Sequence, residues 1–185
     1  MMPLDERALR AVYGGAGAGG LLYGLMVTLT VVGSGWSMLL FLPLFVRPAT
    51  RRFGAALLVT LVVTSLLVFL VKVGVQRPRP CVILPDVHAL CFAGPTDPSF
   101  PSGHAAGAFA FAAFVGTWLT RQSFPASRKL LGLASLGALA LGIALSRVYL
   151  GVHFPSDVTA GALLGAAVGY AAARLAHRPE SPKPG

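Results

Sequence analysis

The sequence predicts an all-α integral membrane protein of six transmembrane helices. Three observations carry that expectation. Of the 185 residues, 55% are hydrophobic and 11% charged, where a soluble domain carries roughly 25% charged residues. The mean hydropathy is +0.74. The charges also gather between long uncharged runs, several approaching the ~20 residues a helix needs to cross hydrocarbon. The length fits one domain, residues 1–176, with a short tail. A net charge of +9 could suggest nucleic acid. No basic run is interleaved with aromatics, however, and the arginines stand at the ends of apolar segments, so no nucleic-acid partner is expected.

Met1 to Arg10 carries Asp5, Glu6, Arg7 and Arg10, and the apolar run after it is too long for a secretory signal and has no clear processing site. Ala11–Val32 follows as a retained first span. Gly33-Ser34-Gly35 then makes a tight turn before an interfacial Trp36. The second span, Gly35–Val46, is short and contains Pro43, so Arg47 must snorkel at its end. Gly54–Val73, His104–Leu119, Leu130–Leu145 and Val158–Leu175 complete the set. The last carries Gly161-x-x-x-Gly165-x-x-x-Gly169, a small-residue face suited to close helix packing. Residues 177–185, with three prolines, read as a disordered cytoplasmic tail.

Orientation follows from the Lys and Arg count on each side. With both termini cytoplasmic, eleven fall inside, together with Asp5 and Glu6, and four outside: Lys72, Arg77, Arg79 and Arg147. The expected location is the cell (inner) membrane, with those four on the outward face. Cys81 and Cys91 share an outward loop, where thiols tend to oxidise. A bridge would close an 11-residue loop and stabilise the chain by roughly 3 kcal/mol; two unpaired thiols are the alternative. Their spacing is not a zinc pattern, since His88 alone offers no second ligand pair.

Three stretches break the apolar pattern on the outward side. In Lys72-Val-Gly-Val-Gln-Arg-Pro-Arg79-Pro80 the prolines stop the helix. Lys72 and Arg79 then offer a point charge and a fork suited to phosphate. In Pro101-Ser102-Gly103-His104, Ser102 is a good N-cap. The helix terminus after it attracts anions, Gly103 lets the backbone approach a ligand, and His104 stands beside that site. In Ser146-Arg147-x5-His153-x3-Asp157, the arginine ends one span and the histidine opens the next. A carboxylate four residues after a histidine can accept its Nδ1–H and leave Nε2 free. Asp157 would be costly in lipid and should face a partner. Each stretch alone also reads as an interfacial rim, an ordinary cap or a locally satisfied pair.

Together, Lys-x6-Arg-Pro, Pro-Ser-Gly-His and Ser-Arg-x5-His-x3-Asp resemble the three-part signature of the type 2 phosphatidic acid phosphatase (PAP2) and vanadium haloperoxidase superfamily. The resemblance spans Lys72 to Asp157, with no departure at a signature position. It implies His153 as nucleophile, Asp157 as its orienting partner and His104 as acid and then base. It also implies a phosphate cradle of Lys72, Arg79, Ser102, Gly103 and Arg147. No cofactor or metal is expected, because the six carboxylate residues are scattered rather than clustered. The expected partners are the bilayer and a lipid phosphate or diphosphate, of the undecaprenyl diphosphate, phosphatidylglycerol phosphate or phosphatidic acid type. A phosphotransferase, a vanadate-dependent haloperoxidase and a non-enzymatic lipid-binding protein are the alternatives. The oligomeric state is left open.

Overall fold

The computed structural model describes residues 3–176, apart from residues 16, 36, 38, 40, 41 and 91–94. Among the described residues there are eight helices and no strands. They are α1 (Pro3–Val12), α2 (Gly20–Val32), α3 (Pro43–Val46), α4 (Pro48–Val75), α5 (Pro80–Ile83), α6 (Gly103–Thr120), α7 (Ala126–Tyr149) and α8 (Pro155–Ala176).

Local chemistry explains most of the boundaries. Pro43, Pro48 and Pro80 stand at the first turn of α3, α4 and α5, where a missing N–H does no harm. α4 ends where Gln76 turns left-handed, at φ 51°, and its N–H returns to the Lys72 carbonyl. That turn frees Arg77 and Arg79 from the helix. α6 starts on Ser102, whose side chain accepts the Ala105 N–H.

Within lipid, burying apolar surface between helices gains little, so close packing and polar contacts must hold a bundle together. The glycine stripe of α8 supplies the close packing. A Cβ on Gly161, Gly165 or Gly169 would stand 2.4, 2.0 or 2.2 Å from the carbonyl oxygens of Ser102, Ala106 and Ala110 in α6. The two backbones therefore touch at three points over about two turns, as the spacing predicts. Away from the site, Phe53 packs on Phe114 and Trp118, with ring centroids 5.4 and 5.1 Å apart. Leu58, Val59, Val62, Leu66, Phe69 and Leu70 are exposed along α4, as a lipid-facing surface requires. Among the described residues, the helices beginning at Pro48, Ala126 and Pro155 are long and apolar enough to cross a membrane.

Three expectations are corrected. The first span, Ala11–Val32, is interrupted: α1 ends at Val12 and α2 begins at Gly20. The cause is the glycine-rich run between them, in which Gly15 and Gly20 adopt φ of +78° and +73°. The second span is not a continuous helix, because Pro43 opens a four-residue helix instead of lying inside a longer one; Trp36 lies outside the described residues. Finally, α1 does not sit opposite the signature stretches. Asp5 and Arg10 meet Arg77 and Asp86, so α1, its Asp5 and Glu6, and Pro3 itself lie at the end of the bundle that holds Asp157. α8 runs away from that end, so Pro3 and Ala176 lie at opposite ends. At the far end the charged residues among those described are all basic: Arg47, Arg51, Arg52, Arg121, Arg128, Lys129 and Arg174. The tail from residue 177 lies outside the described residues.

Candidate active site

The last turn of α4 and the segment after it bring Lys72 and Arg79 to one point. Lys72 Nζ donates to Asp97 Oδ2 at 2.7 Å and also to the Pro98 carbonyl. Arg79 donates from Nη2 to Asp97 Oδ1 at 2.9 Å and from Nε to the Asp97 carbonyl at 2.8 Å. The Asp97 carboxylate therefore bridges the two cations. Burial works to raise the Asp97 pKa, but hydrogen bonds and charges from Lys72 and Arg79 outweigh it and hold the carboxyl below its ordinary range. Arg79 Nη1 donates to the Val152 carbonyl at 2.8 Å and lies 3.0 Å from His153 Nε2.

That last contact settles a tautomer. A guanidinium can only donate, so Nε2 is the accepting nitrogen and the ring proton of neutral His153 is on Nδ1. Nδ1 lies 3.4 Å from Ser99 Oγ, and Ser99 Oγ donates to Asp157 Oδ2. His153 Nδ1 and Asp157 Oδ2 themselves stand 3.6 Å apart, four residues apart in sequence. The expected pair is brought together, and Ser99 Oγ lies against both of its members. Asp157 Oδ2 also accepts the Phe154 N–H at 2.9 Å. Burial foremost, with Arg79 and Arg147, lowers the His153 pKa to about 4 against the opposing pull of Asp157.

A second row of contacts braces Asp157 from behind. Arg77 Nη1 donates to Asp157 Oδ1 at 2.6 Å and to Ser156 Oγ at 2.7 Å, while Nη2 donates to Asp5 Oδ2 at 2.6 Å. The guanidinium lies 4.3 Å over the Phe154 ring, a cation–π arrangement. Asp5, on α1, accepts the Ser156 N–H at 2.9 Å. The loop carrying His153 is set by two bonds to the Arg147 carbonyl, from the N–H groups of Val152 at 3.2 Å and His153 at 3.3 Å. Gly151 makes that loop possible, with φ +73° and no room for a Cβ, which would meet the His88 carbonyl at 2.6 Å.

On the other side, the Arg147 side chain donates to the hydroxyl of buried Thr30 in α2. His104, half-buried in the first turn of α6, lies near the Thr30 backbone. Ser102 is fully buried and its N–H donates to the Asp157 carbonyl at 2.9 Å, so the start of α6 is tied to α8. Gly103 beside it is exposed. Gly103 and His104 open onto a cavity of about 430 Å³ lined by apolar side chains, including Leu61, Val68, Phe111, Leu139 and Ile143.

The three stretches are thus brought together. Lys72, Arg79, His153 and Asp157 are linked by direct or one-residue contacts, and Arg147 and His104 both approach Thr30. Sequence reasoning missed Asp97, Ser99, Thr30, the bracing role of Arg77, and Asp5. Asp97 and Ser99 precede Pro101 closely enough to have been suspected. Thr30 and Asp5 carry no local signal. Cys81 is half-buried on α5, and Cys91 lies outside the described residues, so their pairing stays an expectation.

The PAP2 superfamily profile matches residues 53–180. A decaprenylphosphoryl-5-phosphoribose phosphatase of Mycobacterium tuberculosis is 35% identical over 139 residues, covering 73% of this chain and 68% of that protein. An undecaprenyl-diphosphatase of Sulfolobus acidocaldarius is 31% identical, covering 83% and 70%. The transmembrane PAP2-type phosphatidylglycerolphosphate phosphatase of Bacillus subtilis superposes with a TM-score of 0.75 at 26% identity, covering 93% of this chain and 84% of that one. An apolar helical bundle with a cationic cradle beside a histidine, similar to these enzymes, is a membrane lipid phosphatase. The chain belongs to the PAP2 superfamily.

Proposed function

We propose that this chain hydrolyses a lipid phosphate or diphosphate at the outward face of the cell membrane through a phosphohistidine formed on His153. The observation that carries the reading is the accepting Nε2 of His153, held 3.0 Å from Arg79 and within a cradle that already receives an anion. In the first step Nε2 attacks phosphorus and the bond to the lipid oxygen or leaving phosphate breaks, with His104 giving that oxygen its proton. In the second, water attacks phosphorus, its proton passes to His104, and the P–N bond breaks. Lys72, Arg79, Arg147 and the exposed N–H of Gly103 hold the phosphoryl oxygens as charge builds on them. The buried Ser102 holds the start of α6 in place for that contact. Ser99 and Asp157 keep the proton on Nδ1.

The carboxylates near the site support chemistry without a metal, since Asp5 and Asp157 are engaged by Arg77, and Asp97 by Lys72 and Arg79. The apolar cavity beside His104 suits an acyl or isoprenoid chain entering between helices. The exclusively basic far end among the described residues supports its placement in the cytoplasm. That side holds Ala176, which leaves α1 outside with the site.

Candidate substrates are undecaprenyl diphosphate, phosphatidylglycerol phosphate, phosphatidic acid and, given the mycobacterial relative, a polyprenyl-linked phosphosugar. The test is phosphate release from a panel of these lipids by purified protein in chelator. Turnover of at least one is expected, and a requirement for added magnesium would contradict the mechanism.

A further inference from the structure

The anion in the cradle belongs to the protein. Asp97 places one carboxylate oxygen on Lys72 and the other on Arg79, at 2.7 and 2.9 Å. Two oxygens of a phosphoryl group need the same two donors. Arg79 is further committed to the Asp97 and Val152 carbonyls and to His153 Nε2. Both cations are nearly buried, whereas the Asp97 side chain is 55% exposed. It borders an open depression of about 710 Å³ that includes Gln76, Pro78 and Thr96. The cations are fixed, and the carboxylate has somewhere to go.

We infer that Asp97 is an internal ligand of the phosphate site, which the phosphoryl group of the substrate must displace and which returns as inorganic phosphate leaves. This rests on the reading of Lys72 and Arg79 as the phosphate cradle. The exchange is one of anions: a carboxylate leaves two cations and a phosphoryl group takes its place, with no bond made or broken. Asp97 therefore sets the affinity of the site for phosphate. It weakens binding of substrate and product alike, and it speeds product release. A merely structural role has the opposite signature. If Asp97 served only to hold Lys72 and Arg79 in position, its removal would loosen the cradle and weaken anion binding.

Orthovanadate, an inorganic phosphate mimic, is the probe. Its dissociation constant is measured by calorimetry on the detergent-solubilised full chain, for wild type, Asp97→Asn, Asp97→Ala and Asp97→Glu. Asn and Ala are expected to bind about tenfold more tightly, corresponding to ~1.4 kcal/mol. Glu, which keeps the competing charge, is expected to stay within about threefold of wild type, since only the lost charge carries the effect. KM for a lipid phosphate should fall with the vanadate constant in Asn and Ala, while kcat holds or declines through slower phosphate release. Two neutral variants guard against the loss of either one to misfolding. Equal or weaker vanadate binding by the neutral variants, beside normal binding by wild type, overturns the inference alone. Absence of vanadate binding in every protein overturns the phosphate-cradle reading with it.

Discussion

Asp5 accepts the backbone N–H of Ser156 at 2.9 Å, across 151 residues of sequence. One contact fastens the N-terminal helix to the first turn of the helix that carries Asp157. Arg77 closes the arrangement by donating to Asp5 and Asp157 together. The end of the bundle that holds Asp157 is thus clamped by a segment with no signature residue.

Breaking that clamp should cost both stability and rate. Asp5→Ala leaves Arg77 and the Ser156 N–H without their carboxylate, a loss of ~1–3 kcal/mol for buried hydrogen-bonded groups. A lowered melting temperature in detergent and a roughly tenfold lower kcat are expected. Asp5→Asn, which can still accept from Ser156, should recover part of the stability. Wild-type turnover by Asp5→Ala would show that α1 is no part of the site's support.

Ser99 connects His153 to Asp157, so its hydroxyl should matter more than its size. Ser99→Ala is expected to lower kcat by roughly tenfold to a hundredfold with KM little changed, the scale of one lost buried hydrogen bond. Ser99→Thr should restore most of the rate, because the hydroxyl returns. Equal kcat in wild type and Ser99→Ala would mean that Asp157 acts on His153 without it.

His153 also predicts a pH dependence. Its pKa in the folded protein is about 4, with burial the main cause, against roughly 6.5 when unfolded. Between these values the unfolded chain binds the extra proton, so stability falls as pH drops from 6.5 towards 4 and is full above that window. The folded His153 ring, the proposed nucleophile, stays neutral through most of it. The acid limb of kcat/KM that belongs to His153 is therefore expected near pH 4, and an acid limb near 6.5 that persists in a single-turnover assay of His153 phosphorylation would contradict this. His153→Ala should be inactive at every pH.

The three glycines of α8 should differ in what they disturb. A Cβ at any of them meets an α6 carbonyl at 2.0–2.4 Å, and relieving such overpacking costs roughly 1–3 kcal/mol. Gly161→Ala pushes on Ser102 itself and should lower both turnover and melting temperature. Gly169→Ala, two turns farther from the site, should lower the melting temperature with a smaller effect on turnover. Equal loss of turnover in the two would mean that α6 shifts as a rigid rod.

What the sequence by itself determined is the material of the protein and the residues that break its apolar pattern, among them those proposed to react. Apolar run length decides where helices can lie in lipid, and proline and serine decide where α4 ends and α6 begins, because both effects are local to the backbone. The signature residues were legible because each breaks an apolar pattern at a segment end. The glycine stripe was legible because a period of four on a helix is a face. Tertiary structure decided what periodicity does not encode. It decided that a glycine run would split the first apolar segment and leave α1 beside the site, since both an unbroken and a broken helix satisfy composition. It decided that Ser99 lies against both His153 and Asp157, and that Asp97 occupies the cradle of Lys72 and Arg79. These contacts join residues from 18 to 151 positions apart, and only the meeting of their helices brings their charges within hydrogen-bonding distance.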